Sequence, residues 1–186
     1  MGIARNIARL VPNGSGLLPN ANIEAVAASK LTGQVPDANA PSGSILQVIT
    51  SQYTTPLSVG STSFVDSGVS ASITPSSSSS RIIILFQGQA STASTGTILL
   101  NLVRGSTTIA QPSSGGSPSS FNVYTQSNNF NWPTNFNWVD SPSTTSSTTY
   151  KLQWRLDYSG TGYLGRHVTN VEYNTPYSLT LMEISG

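Results

Sequence analysis

Ten residues, Thr149 to Tyr158, constrain the fold more than any other stretch of the chain. They read TYKLQWRLDY, and Tyr150, Leu152, Trp154, Leu156 and Tyr158 alternate strictly with Lys151, Gln153, Arg155 and Asp157. Successive side chains on a strand point to opposite faces, so this spacing puts the apolar groups on one side and the charges on the other. A helix needs apolar residues three or four apart, and this segment lacks that spacing. It predicts an antiparallel sheet with one dry face and one wet face.

Signals of the same kind recur from residue 43 onward. Strands are predicted at Ile45–Ile49, Phe64–Asp66, Val69–Thr74, Arg81–Gly88, Ile98–Arg104 and Thr107–Ala110. Others follow at Phe121–Thr125, Phe136–Asp140, Thr149–Tyr158, His167–Val171 and Tyr177–Ile184. Turn residues such as Ser67-Gly68 and Gly105-Ser106 separate them, and 111–119 reads as a Pro/Ser/Gly loop. Short strands at this spacing fit a sandwich or barrel. The unbroken block Ile82-Ile83-Ile84-Leu85-Phe86 predicts a strand buried on both faces.

Residues 1–42 are of another kind. Ile3, Ile7 and Leu10 share one helical face, with Arg5 and Arg9 off it, and Pro12-Asn13-Gly14 stops any helix there. So short an amphipathic segment orders only against a partner surface, which makes Ile3, Arg5, Ile7, Arg9 and Leu10 a candidate docking element. Leu18-Pro19-Asn20-Ala21-Asn22-Ile23 then returns as Val35-Pro36-Asp37-Ala38-Asn39-Ala40. Two copies cannot make a solenoid, but they can pack around a symmetry axis with copies from other chains. The division expected is 1–42 as anchor and short stalk, and 43–186 as head, with Pro41-Ser42-Gly43 as linker.

Charge narrows the function. Only 8% of the 186 residues are charged and the net charge is +1, with eight scattered Lys and Arg. No basic stripe exists to neutralise a run of phosphates, so nucleic acid is not an expected partner. No apolar run approaches the length of a membrane span, so no membrane insertion is expected. The chain has no cysteine, which removes disulfides, thiolate metal sites and Cys catalysis.

The ordered words of the chain resemble the C-terminal domains of bacteriophage tail-fibre and virion appendage proteins. In the head they are Gly43-Ser44-Ile45-Leu46-Gln47-Val48, Ser61-Thr62-Ser63-Phe64-Val65-Asp66-Ser67-Gly68, Ile73-Thr74-Pro75-Ser76, Arg81-Ile82-Ile83-Ile84 and Leu102-Val103-Arg104-Gly105-Ser106-Thr107. Asp140-Ser141-Pro142, Thr149-Tyr150-Lys151-Leu152-Gln153 and Leu179-Thr180-Leu181-Met182-Glu183-Ile184 continue the series, and Lys30–Ala40 resembles a fibre stalk. The resemblance implies an all-β, antiparallel, jelly-roll-like sandwich and a homotrimer. It places the protein on the outside of a virion, after synthesis in the host cytoplasm. Capsid, tail or adaptor proteins would then be its docking partners. A host-attachment fibre and a purely structural capsid decoration or cement protein both fit.

Catalysis finds little footing. His167 is the single histidine, and no Gly-x-Ser-x-Gly word occurs. One histidine without cysteines cannot anchor a zinc site. A glycan hydrolase needs two carboxylates flanking a sugar bond, and nothing in the sequence pairs any two of Asp66, Asp140, Asp157, Glu172 and Glu183. No catalytic residue, metal or cofactor is expected. The binding candidate is aromatic: Phe130-Asn131-Trp132 recurs as Phe136-Asn137-Trp138, after Tyr124 and Asn128-Asn129. Sugar C–H faces stack on rings while hydroxyls bond to amides, so Tyr124, Asn128, Phe130, Trp132 and Phe136 form a candidate glycan or receptor contact. Trp132, before Pro133 in an expected loop, has the stronger claim to exposure. Trp138 runs into Val139-Asp140 and is expected in the core or at a subunit interface.

Overall fold

The structure is a computed structural model that describes residues 40–116, 118–125, 130–169 and 172–186. The anchor and nearly all of the stalk expected from the sequence lie outside the described residues, so the proposed boundary at 42/43 falls just inside their start.

Among the described residues eleven strands form two antiparallel sheets packed face to face. Sheet A contains β1 (Ile45–Tyr53), β2 (Leu57–Val59), β4 (Arg81–Thr92), β8 (Trp132–Asp140), β10 (Gly162–Leu164) and β11 (Tyr177–Ile184). Sheet B contains β3 (Val65–Ile73), β5 (Gly96–Arg104), β6 (Thr107–Ile109), β7 (Phe121–Thr125) and β9 (Thr148–Leu156). The chain crosses between sheets repeatedly, as a jelly-roll-like sandwich requires. In sheet A, β4 pairs with β11 and then β10 along one edge and with β8 along the other. In sheet B, β5 pairs with β9 on one edge and with β6 and β7 on the other.

The alternation in β9 is realised as the sequence predicts: Tyr150, Leu152, Trp154 and Leu156 are buried and Lys151, Gln153 and Arg155 are half-buried on the opposite face. They meet Ile82, Ile84 and Phe86 of β4 and Leu179 and Leu181 of β11 in one core. Each such side chain contributes about 1.5–3 kcal/mol on leaving water. Tyr158, just beyond β9, packs against this core, its ring held between Gly96 and Gly160. A Cβ on Gly96 would fall 2.1 Å from that ring, so only glycine fits there.

Three polar ties join elements that the core alone would leave to slide. The Tyr53 hydroxyl of β1 donates to the Ser70 carbonyl of β3 at 2.8 Å and accepts from the Ser70 N–H, linking the two sheets at one side. At the other side, Arg104 of β5 donates to both oxygens of Asp140 of β8 at 3.0 and 2.9 Å, and the buried Tyr150 hydroxyl donates to the same carboxylate at 2.7 Å. Burial first, and then this carboxylate, push the Tyr150 phenol well above its ordinary value. The fully buried Glu183 accepts from the Gln47 amide at 2.5 Å and from the Ser76 N–H and hydroxyl at 2.7 Å, fastening the serine loop to β1 and β11.

Several elements differ from the sequence expectation. Phe64–Asp66 and Val69–Thr74 are expected as two strands, yet Val65–Ile73 is one strand with a bulge. Gly68 takes φ +87° there, and the Ser67 hydroxyl bonds the Leu152 carbonyl and the Val69 N–H, so the turn signal serves a bulge. β8 begins at Trp132, four residues earlier than expected, and runs through Pro133. Proline is tolerated because β8 has an edge that no described strand pairs, where a ladder donor is not required. Among the described residues no strand covers 167–169. That region is held instead by an Arg166–Asn174 bridge and a His167 N–H bond to the Tyr173 carbonyl at 3.2 Å. The short β2 and β10 carried too little periodicity to be read.

The double burial expected for β4 is only half present. Ile82, Ile84 and Phe86 are buried, but Ile83 and Leu85 are half-buried on the outer face of sheet A.

Candidate functional site

Side chains from β7, β8 and the segment before β8 compose an aromatic rim at one side of the sandwich. β8 is an edge strand: β4 satisfies one side of its backbone, and no strand among the described residues takes the other. In register, Trp138 lies opposite Ile84, Phe136 opposite Phe86 and Trp132 opposite Ala90. These aromatics therefore share the core-facing side of the pleat, at the margin where the second sheet gives out.

The margin treats them differently. Phe136 is half-buried and stacks on Phe121 of β7 with centroids 4.7 Å apart and planes 15° apart. Phe121 in turn tilts against Phe86, 5.9 Å away. Phe136 thus closes the gap between the sheet edges. Phe130 and Trp132 remain 57% and 42% exposed, with centroids 6.2 Å apart and planes inclined at 52°. Trp138 is 42% exposed, as much as Trp132, so the sequence preference for Trp132 over Trp138 does not hold. Both sit at the same rim of the same strand, which is why their exposures match.

Tyr124 is exposed but stands opposite Thr97, between the inward-facing Val123 and Thr125, and so projects from the outer face of sheet B. Asn128 lies outside the described residues, as do Ile3, Arg5, Ile7, Arg9 and Leu10. Of the five residues read as a receptor contact, the structure brings Phe130 and Trp132 together, sets Phe136 into packing, and separates Tyr124 onto another face.

Trp138 also borders a feature the sequence did not single out. It lines a shallow hollow of about 480 Å³ with Ile83, Leu85, Asn137 and Val139, on the outer face of sheet A. The signal was there in the apolar residues at odd positions of β4, whose cover the sequence could not name.

Four carboxylates are engaged in holding the fold. Besides Asp140 and Glu183, Asp66 accepts from Lys151 and Gln153, each at 2.7 Å, and Asp157 accepts from the Thr97 N–H at 2.6 Å. Hydrogen bonds from Lys151 and Gln153 hold the Asp66 carboxyl below its ordinary range. Burial raises the Glu183 carboxyl, but the hydrogen bonds donated to it, that of Gln47 foremost, outweigh burial and leave it lowered. The His167 Nδ1 accepts from the Thr169 N–H at 3.2 Å, and its ring meets Tyr173 edge-on at 6.3 Å.

No family model matches the sequence, and no curated protein matches it. Among solved structures, the chain is similar to one described as the 2.6 Å structure of infectious bursal virus derived T=1 particles, at 14% identity and a TM-score of 0.37. The similarity covers 88% of this chain, which spans 41% of the length of that viral chain.

Proposed function

We propose that this chain is a structural component of a phage particle, a homotrimeric fibre-like appendage. Its N-terminal residues dock on another virion protein, and its β head meets the host surface. The ordered phage-fibre words of the sequence support the virion part of this reading. The structural observation that carries the host contact is the pair Phe130 and Trp132, exposed together where a strand fixed by nine register pairs to β4 begins. A sugar binds well to a surface that presents flat apolar faces and does not move. The engagement of Asp66, Asp140, Asp157 and Glu183 in structural hydrogen bonds supports a binding role over a hydrolytic one.

The test is binding of the purified protein to host cells, with and without Trp132→Ala. Losing one stacking ring should weaken binding about tenfold, at roughly 1–1.5 kcal/mol for an aromatic contact. Binding unchanged by Trp132→Ala would move the contact elsewhere. No binding by the intact protein would favour capsid decoration, in which the head serves only its neighbours.

A further inference from the structure

The outer face of sheet A carries a row of apolar side chains that nothing among the described residues covers. Strand register aligns Val48 of β1, Met182 of β11, Ile83 of β4 and Val139 of β8 across four strands. Ile184 and Leu85 flank the row on either side, on the same outward parity. Val48 and Val139, at the two ends, are each 50% exposed. Among the described residues the charged side chains on this face are Arg81, at the end of β4 opposite Ile184, and Arg166, over the Tyr163 ring of β10, both off the row.

We infer that this face packs against two further copies of the chain around a three-fold axis running along the strands. The inference rests on the trimeric reading above and names the surface that makes the trimer. Three observations choose a second copy as the occupant. First, identical surfaces meet without like-charge repulsion only where they carry no charge, and the row of Val48, Met182, Ile83 and Val139 carries none. Second, the chain joins the head at the Ile184 end of the face. The Gly43 N–H donates to the Ser185 carbonyl at 3.0 Å, and the Ser185 hydroxyl donates to the Pro41 carbonyl at 2.6 Å, next to Ile184. A three-fold stalk over 18–42 would therefore deliver three such ends to one axis. Third, four strands side by side over a length of about nine residues span about 19 Å by 30 Å, or about 570 Å² in projection. Side-chain relief raises this toward the roughly 800 Å² per partner of a stable interface.

Cyclic symmetry then fixes the neighbours. Each face has two rims, so the β1 rim of one copy must abut the β8 rim of the next. Val48 and Val139 occupy one row, which puts Val48 of one copy level with Val139 of its neighbour.

The experiment is light scattering on the full chain carrying Val48→Glu and Val139→Glu together, with circular dichroism to check the fold. The expected result is a trimer for the parent and a threefold fall in mass for a folded variant. A folded variant that keeps the trimer mass overturns the face while the trimeric reading stands. A monomeric parent overturns both. Should the double variant not fold, Val48→Cys with Val139→Cys in this cysteine-free chain decides instead. The two positions are three strand spacings apart within one copy, about 14 Å, too far for a short bismaleimide to bridge. A covalent trimer on a denaturing gel supports the face, and cross-linking confined to monomers overturns it.

Discussion

β4 and β5 both carry apolar residues on both faces, and among the described residues only β5 finds cover on both sides. On β5, Ile98, Leu100 and Leu102 enter the core, while Leu99 and Val103 face outward and are still buried, at 5% and 2% exposure. Their register partners on β9 are Arg155 and Lys151, with Gln153 opposite Asn101 between them. Long side chains lay apolar stems across a neighbouring surface while their heads reach water. Arg155 is further held by the Phe64 ring, 5.3 Å from its guanidinium carbon, and Lys151 by Asp66. On β4, Ile83 and Leu85 face outward beside Val139, Asn137, Met182 and Thr180, none of which carries such a charged-tipped stem. The two strands share a composition and differ in their neighbours. A run of apolar residues states that burial is needed; the flanking strands decide whether the same chain can supply it.

That contrast can be broken most forcefully with matched leucines. Leu99→Ala should destabilise the head by about 2–4 kcal/mol, since it opens a cavity under Arg155. Leu85→Ala should cost under about 1 kcal/mol in dilute protein, because a half-exposed side chain loses less on truncation. If copies cover Leu85, its cost should grow with protein concentration while that of Leu99 stays constant, because association stabilises the folded state by mass action. Thermal melts of both variants across a hundredfold concentration range would check this. Equal, concentration-independent losses would mean that the two outer faces do not differ in kind.

A smaller effect comes from acid. Glu183 lies between the core and the serine loop at the Ile184 end of sheet A. Its folded carboxyl titrates below its ordinary value, so the stability it contributes is complete above about pH 4.3 and is withdrawn as pH falls through the lowered folded value. The sign follows from proton uptake: below the ordinary value the unfolded chain binds the proton first. Glu183→Gln should flatten this acid limb of the stability profile, measured by urea unfolding between pH 3 and 6. An unchanged acid limb would locate the sensitivity in another carboxylate.

How legible the fold was depended on where the information sat. β9, β7 and β11 were readable because alternation or a clean apolar run is a local property. Phe121–Thr125 and Tyr177–Ile184 were found at the expected bounds. β2 and β10, at three residues each, owe their pairing to partners far along the chain. The bulge in β3 misled because Ser67-Gly68 is a turn signal in sequence, and the Leu152 carbonyl that makes it a bulge lies 85 residues away. The aromatic site was legible as a composition and illegible as a geometry. Phe130 and Phe136 have the same local words around them, yet one meets solvent and the other Phe121, because only β7 decides which edge is closed.

The finest test concerns the amide that crowns the outer side of β5. The Gln111 side chain donates to the buried Asn101 amide oxygen at 2.9 Å and to the Pro118 carbonyl at 3.3 Å, drawing the loop after β6 toward the strand. Gln111→Ala leaves the Asn101 oxygen short of a donor at about 3% exposure, which should cost about 1 kcal/mol. Because Asn101 sits between Leu99 and Val103, the loss should appear locally as faster amide exchange in β5, with β4 unaffected. Water entering the gap could restore the hydrogen bond, and then only the loop would loosen. Exchange that rises equally in β4 and β5 would show the two strands protected by global unfolding alone, and the local cover over β5 would carry no separate weight.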